Sequence, residues 1–198
     1  MVDRYSSYAE LSFNEAEGVT YRIRAIPRGS NVVIAAPHGG EIEPGTSQIA
    51  EAIAGNCLSL YCFEGLIRGR NHRDLHITST KFDEPRGCDL VQTAELVVGI
   101  HGRRDHDSPD AIWLGGRDDE LKAKISNALT SLELQVASSG HHLLGMSPDN
   151  ICNRGRRRAG IQFEFPASVR DSLMRNSVAL SQFGSLMRKT INGHLRGL

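Results

Sequence analysis

Three short apolar segments of the chain lead into side chains that bind metals or transfer protons. The segments lie at residues 32–35, 97–100 and 161–165, and the polar residues at or near their ends are His38, Glu43, His101 and Glu164. Short apolar runs of this length are typical of strands that are covered on both faces. In open α/β sheets, functional sites form at the carboxyl ends of such strands. The pattern therefore predicts an α/β fold with one site at an edge of the sheet.

Segments typical of strands and of helices alternate along the whole chain. Strands are predicted near residues 20–26, 32–36, 58–63, 73–78, 96–101, 111–114, 141–145 and 160–165. Apolar residues at helical spacing predict one helix that begins near Thr46 and two that span about 118–136 and 177–195. We find no internal repeat and no linker, so residues 1–198 are expected to form one domain. Its predicted architecture is a single open mixed, mostly parallel sheet flanked by helices.

The composition excludes several classes of function. The chain is 39% hydrophobic and 23% charged, and no apolar run approaches the roughly 20 residues that cross a bilayer, so we expect no membrane partner. A formal net charge of zero argues against a general nucleic-acid-binding surface. The first ten residues lack an apolar stretch after a basic start, which predicts cytoplasmic synthesis without a signal peptide. The four cysteines, Cys57, Cys62, Cys88 and Cys152, show no paired spacing and are expected to be free thiols in the core.

The surroundings of His38 and His101 suit metal ligands. His38 precedes two glycines, Glu43 lies across the same turn, and His101 has a glycine on its C-terminal side. Glycines permit close approach of the backbone to a bound ion. Catalytic zinc usually takes three protein ligands, for example two histidines and a glutamate, together with a water molecule. We therefore predict that His38, Glu43 and His101 bind Zn²⁺, with His76 as an alternative ligand or a hydrogen-bond donor to the transition state.

Glu164 is the predicted general base. It alternates with Phe163 and Phe165, so Gln162 and Glu164 point to the opposite face of the strand from the two aromatic rings. Both faces of such a strand are usually covered, and a buried carboxylate there needs a partner. A carboxylate whose pKa is raised by partial burial can accept a proton from a metal-activated water near neutral pH.

Arginines are candidates for binding an anionic substrate, because most of the 23 basic residues are arginines and the guanidinium group binds carboxylates in a bidentate manner. A basic run at residues 154–158 directly precedes the strand that carries Glu164. The predicted substrate contacts are Arg73, His76, Arg154 and Arg158, and the weaker candidates are Arg103, Arg104 and Arg117. The alternative for the basic run is a solvated loop.

Asp105, His106 and Asp107 have the composition of a second metal site. They lie in a loop before Ser108 and Pro109, which favours a solvated turn instead.

Four segments together resemble the phage and Bacillus poly-γ-glutamate hydrolase family, whose members are zinc enzymes related in fold to the metallocarboxypeptidases. The segments are APHGGEIEPGTSQIA at 36–50, DLHITSTKFDEPRG at 74–87, VGIHG at 98–102 and NICNRGRRRAGIQFEF at 150–165. The resemblance implies a zinc carboxypeptidase-like fold, one zinc held by His38, Glu43 and His101, and Glu164 acting as base and then as acid. It also implies hydrolysis of the γ-amide bonds of an anionic glutamate polymer.

Two other functions stay open on the sequence alone. One is a different zinc amidohydrolase, such as a cell-wall amidase or an N-acyl amino acid deacylase, built on the same ligands. The other is a phage nucleic-acid-binding protein, which the basic run at 154–158 suggests and the zero net charge opposes. We expect a monomer, with host lysis as one route by which a cytoplasmically made enzyme meets an extracellular polymer.

Overall fold

A seven-stranded mixed sheet forms the centre of the protein. The computed structural model describes residues 3–69, 72–106 and 108–197. Within them the strands are β1 (Tyr21–Ile26), β2 (Val32–Gly40), β3 (Ser59–Gly65), β4 (Leu96–Arg103), β5 (Ala111–Gly116), β6 (Gln135–Ala137) and β7 (Ile161–Pro166). Their order across the sheet is β1-β3-β2-β4-β7-β5-β6. The pairs formed by β3, β2, β4 and β7 are parallel, whereas β1 and β5 each run antiparallel to a neighbour. The predicted mixed, mostly parallel α/β sheet is confirmed.

Helices cover both faces of the sheet. They are α1 (Tyr8–Asn14), α2 (Thr46–Ala54), α3 (Pro85–Thr93), α4 (Asp119–Thr130), α5 (Ala167–Arg175) and α6 (Ser177–Arg196), with short 3₁₀ helices at His72–Asp74 and Ile151–Asn153. Apolar residues of α2, α4, α5 and α6 form the larger core with one face, to which Ile34, Ile100 and Phe163 contribute. Residues of α1 and α3 form a second core with the other face, to which Val33 and Val97 contribute. Burial on both faces explains why these strands read as continuous apolar runs.

Two predicted strands are not strands. Residues 73–78 begin in a 3₁₀ helix and continue as irregular chain, because Thr78 donates hydrogen bonds from its amide and its hydroxyl to the Asp3 carboxylate rather than entering the sheet. Residues 141–145 form an irregular loop that includes Gly145 at a φ of 60°.

The predicted helix over 118–136 ends early, and three short helices were not predicted. Glu133, at a φ of 60°, follows the end of α4 at Thr130, and the chain then enters β6 beside β5. Helices α1, α3 and α5 each have only seven to nine residues, too few for a clear helical period. Of the four cysteines, Cys62 and Cys152 are buried as expected, but Cys57 is exposed in the turn after α2.

The end of β2 is shaped by two glycines. The register between β2 and β3 shifts between Ala36 and Gly39, so His38 lies in an irregular part of the strand. Gly40 has a φ of 60°, and a Cβ there would overlap the carbonyl oxygen of Gly65. The chain can therefore turn toward Glu43 and α2 only with glycine at this position. Within residues 3–69, 72–106 and 108–197, no helix is long and apolar enough to span a membrane.

Candidate metal and catalytic site

His38, Glu43 and His101 converge at the carboxyl ends of β2 and β4. The His38 Nδ1 atom lies 3.4 Å from Glu43 Oε1 and 3.2 Å from His101 Nδ1. All three side chains are buried. A tetrahedral zinc ion with bonds of 2.0–2.1 Å separates its ligand atoms by about 3.3 Å. These two distances fit a zinc ion.

Hydrogen bonds behind the His38 and His101 rings fix their orientation. His38 Nε2 donates to the carbonyl oxygen of Ile77 at 2.8 Å, which leaves Nδ1 to face His101 and Glu43. His101 Nε2 lies 3.4 Å from the hydroxyl of Ser79, so its Nδ1 also faces the cluster. Two imidazole nitrogens at 3.2 Å need a proton or a cation between them, and the adjacent carboxylate favours a cation. Outer partners of this kind are typical of histidines that bind metals.

Two further histidines, His72 and His76, complete the cluster. The rings of His38 and His76 stack with centroids 3.9 Å apart, and His72 Nε2 lies 3.4 Å from Glu43 Oε1. Ligand atoms of His38, Glu43 and His76 all lie within 4.8 Å of one another. His76 Nδ1 lies 2.6 Å from Asp3 Oδ1, and this carboxylate fixes the orientation of its ring. His76 therefore lies close enough to His38 and Glu43 to share an ion with them, and its role as the alternative ligand stays a prediction.

The sequence reasoning missed His72 and Asp3. His72 stands four residues before His76, and this His-x₃-His spacing was a usable signal for a pair of ligands. Asp3 lies more than seventy residues from His76 in the chain, and no local pattern indicates their contact.

The protonation states of the cluster match those of metal ligands. Burial lowers the pKa of His101 to about 4, and the His38 ring adds to this effect. Burial also lowers the pKa of His76 to about 3. Burial opposes ionisation of Glu43, but the neighbouring His38 and His72 rings hold the pKa of Glu43 well below its usual value. Neutral imidazoles beside an ionised carboxylate are the forms that bind zinc.

His38 differs from the other histidines. Burial alone would lower the pKa of His38, but the Glu43 carboxylate outweighs it and raises that pKa above the ordinary value. In the absence of an ion, a proton on His38 would balance the negative charge of the buried Glu43 carboxylate. A bound cation can take the place of that proton, so ion binding and proton release are linked.

Glu164 lies beside the cluster on the neighbouring strand. His101 and Glu164 are register partners of β4 and β7, and the Glu164 side chain is buried. Burial, together with the negative charge of Glu43, raises the pKa of Glu164 well above its usual value. A buried carboxyl group with a raised pKa can accept and return a proton near neutral pH, once a cation compensates Glu43.

A cleft of about 610 Å³ opens over the cluster. Residues 78–80 form one part of its wall, and the loop at 142–147, where Leu144 and Met146 are exposed, forms another. Among the described residues, Arg103, Arg104 and Arg170 line the cleft. Arg104 is exposed, whereas the guanidinium groups of Arg103 and Arg170 donate to backbone carbonyl oxygens. The cleft thus combines an apolar wall with positive charge, which suits a substrate that has both methylene groups and carboxylates.

Three of the predicted substrate contacts lie elsewhere. Within the described part of the chain, Arg73, Arg154 and Arg158 are not among the residues that line the cleft. The guanidinium group of Arg154 donates to the carbonyl oxygens of Asp149, Phe82, Ser79 and Thr80, which differs from the predicted carboxylate clamp. A guanidinium group already bonded to backbone carbonyls holds loops together rather than presenting free donors to a ligand.

Asp105, one residue of the suggested second metal site, contacts the start of a helix instead. Both carboxylate oxygens of Asp105 accept a hydrogen bond from the amide of Ser168 at 3.2 Å, at the start of α5. This contact is that of a helix-capping residue. Asp107, the third residue of the suggested second metal site, lies outside the described residues.

Comparison with known proteins adds a family and several relatives. A family model described as poly-gamma-glutamate hydrolase matches residues 5–185. The chain is 36% identical over 185 residues to the SPbeta prophage-derived UPF0714 protein YoqZ of Bacillus subtilis (strain 168). This alignment covers 92% of the chain and 66% of YoqZ, so the chain spans slightly less than two thirds of that relative.

Solved structures agree with this relationship. A bacteriophage poly-gamma-glutamate hydrolase superposes with a TM-score of 0.91 at 25% identity, over 100% of both chains. A zinc-free apo form of YndL superposes with a TM-score of 0.86 at 31% identity, over 96% of this chain and 98% of that one. N-formylglutamate amidohydrolase from Ralstonia eutropha JMP134 has a TM-score of 0.56 at 15% identity, over 90% of this chain and 99% of that one, and shares the fold alone.

Proposed function

The chain belongs to the poly-gamma-glutamate hydrolase family, and on this premise we propose that it is a zinc-dependent hydrolase of γ-glutamyl amide bonds in poly-γ-glutamate. The observation that carries the proposal is the convergence of His38, Glu43 and His101 beside the buried Glu164. The histidine and carboxylate donors suit Zn²⁺ in charge, ligand type and spacing. His76 is the second candidate for the third ligand, because it shares the cluster with His38 and Glu43.

Each residue has a distinct part in the proposed reaction. Zinc, when bound by His38, Glu43 and His101, would polarise the scissile carbonyl group and acidify the attacking water. Glu164 accepts the proton of that water and then donates it to the nitrogen of the leaving amine. Arg104, which is exposed and lines the cleft, is the proposed contact for a carboxylate of the anionic polymer.

The test is incubation of the purified protein with poly-γ-glutamate, followed by size-exclusion chromatography, with and without a zinc chelator. We expect chelator-sensitive shortening of the polymer. An early collapse of polymer mass would indicate internal cleavage, and slow release of monomer would indicate trimming from an end. A zinc-loaded protein that leaves the polymer intact would contradict the proposal.

Three variants assign the roles. E164Q should retain stoichiometric zinc and lose turnover, because the amide cannot accept a proton. E43Q should lose zinc, whereas the matched variant E41Q in the same turn should keep both zinc and activity, since Glu41 is not among the described residues that line the cleft. Near wild-type turnover in E164Q would contradict the general-base role. Zinc retained at full stoichiometry in E43Q would contradict the ligand role.

The alternative is a cell-wall amidase or an N-acyl amino acid deacylase, since the protein shares its fold with an N-formylglutamate amidohydrolase. A panel of N-acyl amino acids and peptidoglycan fragments separates these activities from cleavage of poly-γ-glutamate. The monomeric state and the route to an extracellular polymer stay predictions, and light scattering of the purified protein tests the first of them.

A further inference from the structure

Gln162 occupies a buried position between the proposed general base and the wall of the cleft. Its side chain is 4% exposed, and it lies two residues before Glu164 on the same face of β7. Its Nε2 atom donates one hydrogen bond to Glu164 Oε1 at 3.0 Å and another to the carbonyl oxygen of Leu143 at 3.1 Å. One amide group therefore contacts both the carboxylate and the loop at 142–147.

A second amide determines which way Gln162 points. Asn150 Nδ2 donates to Gln162 Oε1 at 2.8 Å, and Asn150 Oδ1 accepts from the amide of Cys152 at 3.1 Å. Because Gln162 Oε1 is occupied by this donor, its NH₂ group must face Glu164 and Leu143. The chain of hydrogen bonds thus begins on the backbone of the 3₁₀ helix at Ile151–Asn153 and ends on the Glu164 carboxylate.

Glycines on three sides make room for the Gln162 side chain. Its register partners on the two neighbouring strands are Gly99 and Gly115. A Cβ on Gly115 would lie 2.6 Å from the carbonyl oxygen of Leu144, and a Cβ on Gly145 would lie 2.6 Å from Gln162 Cδ. The loop therefore packs directly on the sheet and on this amide, which a larger residue at Gly115 or Gly145 would obstruct.

We propose that Gln162 is a positioning residue that orients the Glu164 carboxylate toward the reacting water and links it to the loop that forms the apolar wall of the cleft. The inference rests on the proposed function, since it assigns Gln162 a part in that same reaction. A carboxylate that accepts a hydrogen bond on one oxygen is held in a single rotamer, and its other oxygen is left to take the proton. Precise placement of such a group is worth a large factor in rate.

The test compares Q162L with wild type and with the matched variant Q135L, which makes the same substitution at an exposed position on the edge strand β6. We expect Q162L to keep stoichiometric zinc and to lower kcat by about 10- to 100-fold, the range typical of removing an outer partner of a site residue. The acid limb of the pH profile of kcat/KM should move to higher pH, because a hydrogen bond to the ionised form of Glu164 is lost. The charged neighbours Glu43, Arg103 and Arg170 are unchanged in this variant. Q135L should leave zinc content, kcat and the acid limb unchanged.

The outcomes separate this inference from the proposed function. Zinc-loaded Q162L with the kcat and acid limb of the wild type would overturn the positioning role while leaving the hydrolase intact. A wild-type protein that does not cleave γ-glutamyl bonds would instead refute the proposed function. If Q162L does not fold, N150S removes the amide donor that orients Gln162 and leaves a hydroxyl that can still accept from the Cys152 amide. A shift of the acid limb in the same direction is expected, with a smaller loss of kcat. An unshifted limb in N150S would then overturn the inference.

Discussion

The contact between Asp3 and His76 gives a sharp test of how the site is held together. The Asp3 carboxylate accepts hydrogen bonds from the Thr78 amide at 2.8 Å and from the Thr78 hydroxyl at 2.7 Å, and it lies 2.6 Å from His76 Nδ1. Replacing Asp3 by alanine removes all three interactions. At about 0.5–1.5 kcal/mol for each hydrogen bond, and with a discount for fraying near a chain end, D3A should lower the free energy of unfolding by about 1–3 kcal/mol.

The substitution should also weaken the site. Without Asp3, the His76 ring loses the partner that orients its Nε2 atom, and loss of such an outer partner typically costs about 10- to 100-fold in metal affinity or activity. Zinc affinity is measured by competition with a chromophoric chelator, turnover by release of amine groups from poly-γ-glutamate, and stability by urea denaturation. All three measurements use the full chain.

The matched control is D83A. Asp83 Oδ1 accepts a hydrogen bond from the Tyr8 amide at 2.5 Å, so it also anchors the N-terminal segment, and it is not among the described residues that line the cleft. D83A should lose stability but keep zinc affinity and kcat. Wild-type zinc affinity and turnover in D3A would refute the reasoning. Equal losses of activity in D3A and D83A would show that anchoring of the segment, rather than orientation of His76, explains the effect.

Three further outcomes are expected. G40A should lower the free energy of unfolding by about 1–3 kcal/mol in urea denaturation, because the added Cβ would overlap the Gly65 carbonyl oxygen and residue 40 has a positive φ. Wild-type stability of G40A would contradict this. The zinc-free protein should lose stability as the pH falls from 6.5 to about 4, because the pKa of His101 is lowered to about 4 in the folded state and the unfolded chain binds that proton first. If the free energy of unfolding of H101Q depends on pH as strongly as that of the wild type, groups other than His101 cause the dependence. F163A should cost about 3–5 kcal/mol by calorimetry, because the ring is fully buried and stacks on Phe165; a loss below about 1 kcal/mol would mean that the core closes over the cavity.

Much of the fold was predictable because strands that are buried on both faces consist of continuous runs of apolar residues. The apolar runs of β2, β4 and β7 lie at the centre of the sheet, where no solvent-facing alternation interrupts them. Their polar ends meet because the three strands pair in parallel and finish at the same edge of the sheet. This explains why the sequence alone was enough to group His38, Glu43, His101 and Glu164 into one site.

The segment at 73–78 shows where the same reasoning fails. Leu75 and Ile77 are buried in the second core, and the intervening His76 faces the site, so the segment alternates as a strand would. Alternation reports which side chains face the core, and it does not report whether the backbone pairs with a neighbouring strand. The Thr78 amide pairs with Asp3 instead, through a contact that spans 75 positions of the chain.

The basic run at 154–158 was misjudged for a related reason. The sequence shows positive charges near the proposed base, but not the groups that these charges meet. Arg154 binds backbone carbonyl oxygens of two loops, and Arg157 lies 3.4 Å from the Asp118 carboxylate. Arg170, which does line the cleft, has no basic residue beside it in the sequence of α5 to draw attention to it.

The amide of Gly102 has a consequence for the choice of metal. It donates to Glu43 Oε2 at 2.7 Å, which favours Oε1 as the ligand atom of this carboxylate. A monodentate carboxylate with two imidazoles provides three donor atoms, of which two are nitrogens. Ca²⁺ requires six to eight oxygen ligands and Mg²⁺ an octahedron of oxygens, so neither ion competes well for such a set. If these three residues bind the metal as proposed, we therefore expect the site to prefer small transition-metal ions such as Zn²⁺ or Co²⁺ over the harder cations, because two of its donors are imidazole nitrogens.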